Sequence, residues 1–239
     1  MPLLGLVVRA PWADGLRELG APESLDALKL SLVCSLSATA LALVLGVPLA
    51  WLQARAEFRG RSLLRALTTL PMVLPPVVGG VALLLAFGRQ GLLGHFLFDA
   101  FGVRLPFTTA GAILAETFVS MPFLVITVEA GLRSMNRRLE EAARTLGAGR
   151  WRVLTRVTLP LIAPSIFSGA VLCWSRALGE FGATITFAGN FPGRTQTLPL
   201  AVYLLLETRP EAAVMLSLVL VAVSLAVLVG LRDRYLVAR

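Results

Sequence analysis

The stretch that decides the fold is EEAARTLGAGRWRVLTRVTLP, residues 140–160. It is the longest polar interval in an apolar chain, it contains four arginines, and long hydrophobic segments flank it on both sides. A charged side chain at the centre of a bilayer costs about 2.5 to 3.5 kcal/mol, so a segment with this many charges does not lie in lipid. We predict that it projects into water from a membrane protein.

The residue types within this stretch favour two short helices separated by a break. Glu, Ala, Arg and Leu before Gly147 favour a helix, whereas Gly147 and Gly149 interrupt one. Pro160 marks the next predicted boundary. Glycine at position 147 supplies a backbone turn that a side chain would hinder. The sequence therefore predicts a helix, a break at Gly147 and a second helix.

The composition indicates an all-α integral membrane protein. The chain has 239 residues, of which 56% are hydrophobic and only 15% charged, and its mean hydropathy is +0.79; a soluble domain is nearer a quarter charged. The net charge of +8 does not indicate nucleic-acid binding, because the arginines gather in short loops beside apolar segments. His95 is the only histidine, and Cys34 and Cys173 lie in apolar segments. We therefore expect no metal site and no catalytic cluster, which disfavours a membrane-embedded enzyme.

Five segments are long enough to cross a hydrocarbon core of roughly 30 Å. They cover residues 27–52, 63–87, 107–132, 161–188 and 211–231 of a transmembrane domain spanning residues 25–232, with the polar loop at 133–160. Residues 1–24 form an N-terminal segment and residues 233–239 a C-terminal tail, and the apolar residues 198–207 are too short to cross, so they predict a re-entrant or interfacial piece. The prolines of the second span predict a kink, which serves either packing or a pore lining.

The distribution of basic residues predicts the orientation in the membrane. Five spans place the two termini on opposite sides. The side with the polar loop and the tail holds fourteen basic residues, and the other side holds seven. By the positive-inside rule, the loop and the C-terminus are cytoplasmic and the N-terminus is outside.

The polar loop resembles the signature of bacterial ATP-binding-cassette (ABC) importer permeases. The matching residues are Glu141, Ala142, Ala143, Gly147, Val157, Leu159 and Pro160, and that family usually has Ile where this chain has Val157. The resemblance implies a type I permease bundle in which the helix pair is a cytoplasmic coupling helix that docks into a cleft on a separate ATPase subunit. Glu141 is then expected to hold the helix pair by accepting backbone or arginine donors.

Outside the loop, the chain resembles molybdate importer permeases in particular. Residues 74–78, 143–153 and 177–187 carry this resemblance, together with Pro192-Gly193 and residues 195–197. Sulfate and thiosulfate permeases are similar around residues 178–180 but typically carry Tyr-Gly-Ser where this chain has Phe-Gly-Ala. The resemblance implies molybdate as the substrate, with tungstate as a companion, and sulfate or thiosulfate remains the alternative.

The resemblance also implies a set of partners. Lys29 is the only lysine, so the chain has no phosphate-binding loop of its own, and Mg-ATP is hydrolysed by the partner. The expected assembly is a homodimer of permeases in the bilayer, with two ATPase subunits on the cytoplasmic side and an extracytoplasmic molybdate-binding protein outside. Transport would proceed by alternating access in the bacterial inner membrane. A passive anion channel is the remaining alternative outside this class.

Three charged residues inside predicted spans are candidates for the translocation route or gate. Arg176 and Glu180 are four residues apart on the fourth span and so share a helix face, and Glu116 lies on the third span. We expect Arg176 to pair with Glu180 or with Glu116. Such a pair either pins the helix or positions Arg176 towards an anion, since a guanidinium matches two oxygens of an oxyanion.

Overall fold

The computed structural model describes residues 2–12, 15 and 19–236, and the described chain is almost entirely helical. The predicted tail therefore lies outside the described residues at positions 237–239, as do residues 1, 13, 14 and 16–18 of the N-terminal segment. In chain order the helices are α1 (Pro2–Val8), α2 (Pro22–Arg55), α3 (Arg61–Val73), α4 (Pro76–Phe87), α5 (Gly94–Phe101), α6 (Thr109–Ser134), α7 (Arg138–Thr145), α8 (Arg150–Val153), α9 (Leu159–Leu178), α10 (Gly182–Ala188), α11 (Leu198–Thr208) and α12 (Pro210–Leu236).

Four helical stretches in the described part of the chain are long and apolar enough to cross a membrane. They are Pro22–Arg55, Thr109–Ser134, Arg150–Leu178 and Pro210–Val227. Three of them, Pro22–Arg55, Thr109–Ser134 and Pro210–Val227, overlap the first, third and last predicted spans with longer or shifted bounds. Pro122, which interrupts the sequence of the third span, lies within the helix α6.

The second predicted span is divided into the two helices α3 and α4. Leu74 has the extended backbone angles φ −66° and ψ 136°, and Pro75 follows it. The extended conformation is expected, because a residue before proline is pushed out of the helical region. Pro76 then occupies the first turn of α4, where its missing N–H costs nothing. The kink predicted from the prolines is thus a complete interruption between helices of 13 and 12 residues.

The fourth predicted span differs from the structure at both of its ends. Helical backbone runs from Arg150 to Leu178 through a π-helical turn at Leu154–Thr158, so the chain stays helical through Pro160, which lies in the first turn of α9. In the wider π turn the N–H of Leu159 donates to the carbonyl of Leu154. This turn accommodates the next residue, Pro160, which has no N–H to donate. At the other end, α9 stops at Leu178, and three residues separate it from the short helix α10.

The core of the bundle is formed by α2, α6 and α9. Ala42 of α2, Leu124 and Val128 of α6 and Cys173 of α9 are fully buried in one cluster. Small residues along α2 let the helices approach closely, which is how helices associate where lipid removes the hydrophobic driving force. This core fixes the ends of the three helices that lead to residues 133–160.

The short apolar segment at residues 198–207 forms the helix α11, of 11 residues. Its first N–H, that of Leu198, donates to the Oγ of Ser31 at 2.6 Å. Its far end is joined to the start of α2 by an ion pair between Arg209 and Glu23. The helix therefore lies against the first third of α2 and does not cross the bundle.

Candidate docking and gate sites

The polar helix pair, α7 and α8, has the helix–break–helix form that the sequence predicts. After α7 ends at Thr145, Gly147 adopts φ +85°, and α8 begins at Arg150. Apart from its chain neighbours, no atom of the described residues lies within 4 Å of the position that a Cβ on Gly147 would occupy. Glycine is therefore required here for its left-handed backbone and not for space, because other residues rarely adopt this conformation.

Glu140, and not the predicted Glu141, attaches the polar helix pair to the bundle. The carboxylate of Glu140 accepts a hydrogen bond from the Oγ1 of Thr158 at 2.7 Å and pairs with the Nη2 of Arg55 at 3.5 Å. Glu140 is buried, whereas Glu141 is exposed, and its side chain contacts no donor in the described ranges. Successive helix residues point about 100° apart, so only one of the two glutamates can face the bundle. The contacts expected of Glu141 are thus made by Glu140, and Glu141 remains a candidate for the outward face.

The other predicted docking residues are divided between two places. Ala142 is exposed on α7 and Ala143 half-buried beside it, next to the break at Gly147. Leu159 and Pro160 instead lie at the start of α9, where Leu159 packs against the core cluster. Only the first four predicted residues therefore share the polar helix pair.

Two large apolar side chains that the sequence analysis did not select are exposed on the polar helix pair. Leu146 at the break is 88% exposed and Trp151 on α8 is 76% exposed. Beside them, a cavity of about 550 Å³ separates the pair from the end of α2, and four arginines and two glutamates line it with Trp51 and Trp151. Exposed apolar side chains rimmed by charges are typical of a protein-binding surface.

A second polar attachment lies near the same end of the bundle. Glu129 of α6 pairs with Arg133 one turn later at 2.9 Å and also with Arg65 of α3. The amide of Gln53 on α2 donates to the Oγ1 of Thr68 on α3 at 2.7 Å, and both groups are buried. These contacts fix α3 to the core. Sequence reasoning missed the two contacts to α3 because their partners lie on different helices.

The candidate gate residues Arg176 and Glu180 form an ion pair, with 2.6 Å between Nη2 and Oε2. Glu180 lies beyond the end of α9, so the pair does not share one helix face as predicted. Its other oxygen accepts the N–H of Ala183 at 2.8 Å, in the first turn of α10. Glu180 thus joins the end of α9 to the start of α10 across the interruption, while Arg176 keeps 29% of its side chain exposed.

Glu116 is placed apart from Arg176. The structure contains no ion pair between them within its described residues, so of the two predicted pairings it adopts the one with Glu180. Both glutamates are 1% exposed. The Oε2 atom of Glu116 is buried without a hydrogen-bond partner in the described chain. Arg176 is therefore the only one of the three candidates with an accessible side chain.

The sequence of this chain is similar to those of known transport proteins. Residues 42–239 match the family described as binding-protein-dependent transport system inner membrane component. The chain is 49% identical over 234 residues to a molybdenum transport system permease protein of Mycobacterium tuberculosis, which covers 98% of this chain and 88% of that protein. It is 36% identical over 227 residues to a sulfate transport system permease protein of Escherichia coli, covering 93% and 82% of the two chains.

A likeness of fold is found in a solved structure, the crystal structure of a bacterial alginate ABC transporter in complex with an alginate pentasaccharide-bound periplasmic protein. The similarity has a TM-score of 0.72 at 21% identity and covers 96% of this chain and 85% of that chain. The fold is thus that of a type I ABC importer permease. With its helical bundle, its exposed polar helix pair and its match over most of the sequence, the chain belongs to the family of binding-protein-dependent transport system inner membrane components.

Proposed function

We propose that this chain is the permease subunit of an ATP-driven importer that moves molybdate across the bacterial cytoplasmic membrane. The observation that carries the proposal is the polar helix pair, which is exposed on one side and attached through Glu140 on the other. Such an element can transmit a partner's movement to the spans. Identity of 49% to a permease named for molybdenum transport, against 36% to one named for sulfate transport, favours molybdate over sulfate.

The functional unit is proposed to contain two copies of this chain. The interruption at Leu74 and Pro75 supports this, because Pro75 is exposed. Backbone without helical hydrogen bonds is tolerated at membrane depth only where protein or a water-filled cavity covers it. A second copy related by a two-fold axis would supply that cover and leave a route between the copies. Two ATPase subunits bearing Mg-ATP would bind the cytoplasmic side, and a binding protein loaded with molybdate or tungstate would dock outside.

The proposed coupling path begins at the polar helix pair. Movement of α7 is carried by Glu140 to Arg55 at the end of α2 and to Thr158 before α9. Because α2, α6 and α9 share one core, they move together. This is a rigid-body change, the kind by which alternating access opens one side of a membrane protein and closes the other.

The pair α4 and α10 is the proposed moving part at the opposite end. Both helices follow interruptions, and they touch closely where Gly80 faces α10. A Cβ on Gly80 would lie 2.6 Å from the Cβ of Thr186 and 2.9 Å from the carbonyl oxygen of Ala183. Backbones this close tilt as one unit, and the interruptions before α4 and before α10 absorb the change in angle.

Arg176 is proposed to contact the anion during passage. Glu180 orients its guanidinium, and the exposed part of the side chain retains donors for an oxyanion. Because guanidinium donors match two oxygens of a tetrahedral dianion, one site serves molybdate, tungstate and sulfate alike. Selection among them would then rest mainly with the binding protein.

The test is reconstitution of the permease with its ATPase and with the molybdate-binding protein in proteoliposomes. Molybdate uptake is measured by elemental mass spectrometry with ATP or ADP on the ATPase side. We expect uptake with ATP only, inhibited by tungstate and weakly by sulfate. Uptake that proceeds with ADP identifies a passive channel, and a co-purified binding protein that retains sulfate in preference to molybdate identifies a sulfate importer; either result contradicts the proposal.

A further inference from the structure

The connection between α4 and α6 forms a cavity that the proposed transport path does not use. It measures about 630 Å³ and lies between the end of α4, the helix α5 and the start of α6. Leu84, Leu85 and Phe87 give it an apolar wall, and the side chains of Arg89 and Arg104 also line it. The cavity is therefore amphipathic, with apolar carbon on one side and two cations on another.

The two arginines share a single aromatic ring. The guanidinium carbon of each lies 4.8 Å from the centre of the Phe98 ring, so the two carbons are separated by at most twice that distance. A guanidinium stacked on a ring keeps its N–H edge free to bind an oxyanion. The ring thus holds the two like charges within 9.6 Å of each other, and their donors remain available.

No counter-ion for this pair is found in the described chain. Asp99 is the only acidic residue between positions 88 and 107, and it pairs with His95 at 3.2 Å. Neither Arg89 nor Arg104 donates a side-chain hydrogen bond to any described residue. An anion bound between them would relieve their mutual repulsion and satisfy donors that the protein leaves free.

The surroundings of the cavity indicate a membrane surface. Leu92, just before α5, is 91% exposed, and Phe96 and Phe101 on α5 are 64% and 68% exposed. The side chains of His95 and Asp99, on the same helix, are also exposed and lie 3.2 Å apart. An amphipathic helix of this kind lies in the plane of the membrane interface. Because α5 lies between the end of the apolar helix α4 and the start of the membrane-length helix α6, we place it at the boundary between lipid and water. The exposed apolar side chains then contact lipid.

We infer that this cavity binds an anionic phospholipid, with its phosphate between Arg89 and Arg104 and its acyl chain along the apolar wall of α4. A free tetrahedral oxyanion satisfies the arginines but leaves the apolar wall uncovered. A phospholipid satisfies both, because its phosphate oxygens match the guanidinium donors and its acyl chain covers the apolar wall. The lipid also ties the end of α4 to the bilayer, so the movement of α4 takes place against a fixed outer end.

The experiment uses the permease co-purified with its ATPase and placed in nanodiscs of phosphatidylcholine with a few per cent phosphatidylglycerol. Retained phosphatidylglycerol is counted by native mass spectrometry after release from the nanodisc. The variant is Arg89→Ala with Arg104→Ala, and the matched control is Arg194→Ala, an exposed arginine that does not line this cavity. We expect the double variant to bind phosphatidylglycerol about thirtyfold more weakly, since each arginine near the surface contributes about fivefold. The control variant should retain the lipid as the native protein does.

A second variant, Phe98→Leu, keeps both charges and removes the ring that positions them. We expect it to lose at least half of the preference for phosphatidylglycerol over phosphatidylcholine. Co-purification of the ATPase is measured for every variant and should not change, which shows that the bundle is folded.

Three outcomes would overturn the inference. The first is retention of phosphatidylglycerol by the double variant at the native level. The second is arginine-dependent binding of molybdate or inorganic phosphate in nanodiscs that contain phosphatidylcholine only, which would identify a site for a free oxyanion. The third is loss of capture of the loaded binding protein with lipid retention unchanged, which would assign the surface to that protein.

Discussion

Replacing Glu140 by alanine should uncouple ATP hydrolysis from transport. The change removes the acceptor of the Thr158 hydroxyl, 2.7 Å away, and the partner of the Arg55 guanidinium, 3.5 Å away. Arg55 keeps only 10% of its side chain exposed, so the variant leaves a buried cation unpaired. Breaking a buried pair costs about 3 to 5 kcal/mol, and because this pair is long we take the lower end, about 3 kcal/mol.

A loss of about 3 kcal/mol changes the balance between attached and detached α7 by about a hundredfold. We expect the ATPase to remain bound and active, because the outward face of α7 is unchanged. Molybdate uptake per ATP hydrolysed should fall at least about tenfold, since movement of α7 is no longer carried to α2 and α9. The assay measures ATP hydrolysis and molybdate uptake in the same proteoliposomes.

Two further variants separate the contributions. Thr158→Val removes only the hydroxyl donor, and a hydrogen bond contributes about 1 kcal/mol, so uptake per ATP should fall no more than about fivefold. Glu57→Ala removes an exposed glutamate from the connection between α2 and α3 and is the matched control. If Glu140→Ala couples hydrolysis to uptake as the control does, Glu140 does not transmit the movement and the reasoning is refuted.

The other predictions concern the break, the outward face, the gate, the moving pair and the orientation. Gly147→Ala, forced to adopt φ +85°, should destabilise the polar helix pair by about 1 to 2 kcal/mol, measured by thermal unfolding. Gly147→Asp or Glu141→Lys should abolish pull-down of the ATPase while the protein stays in the membrane. Retained pull-down with normal uptake would contradict this second expectation. Arg176→Ala should reduce uptake at least tenfold with assembly unchanged, whereas Arg176→Lys should recover only part of it, measured at saturating binding protein. Gly80→Val should stop transport without preventing ATPase binding, because its side chain meets α10, and unaltered uptake would show that α4 and α10 need not stay in contact. Leu146→Cys should react with a membrane-impermeant maleimide only from the cytoplasmic side, and labelling from outside would reverse the proposed orientation.

The polar helix pair could be predicted in detail because its determinants are local. The helix-forming residues before the break and the backbone preference of Gly147 act within a few positions of each other. The pattern could not decide which of two neighbouring glutamates faces the bundle. That choice depends on where Arg55 and Thr158 are placed by the ends of α2 and α9, and these are fixed by tertiary packing.

The two helix interruptions also differ in whether the local sequence predicts them. Proline predicts the interruption before α4, since Pro75 constrains its own backbone and that of its neighbour. The interruption between α9 and α10 has no proline, and hydropathy averaged over these residues predicts one continuous apolar span. At that position Gly182 lies against α4, where a Cβ would come within 2.7 Å of the Cβ of Pro76. The fourth span is therefore interrupted at the place where it contacts the second span. A contact between such distant segments cannot be predicted from the residues around the interruption.

The two halves of the second span are attached to their neighbours in different ways, and the two ends of the bundle therefore differ in how readily they bend. The helix α3 is attached to its neighbours by two polar contacts, Gln53 with Thr68 and Arg65 with Glu129. The helix α4 has no comparable polar contact to another helix among the described residues and is held by close packing against α10. Hydrogen bonds fix a geometry, whereas packed small residues permit sliding and tilting. Because α3 and the polar helix pair are attached at the same end of the core, force applied there reaches α4 and α10 through two interruptions. Bending is thereby confined to the half of the molecule farthest from the polar helix pair.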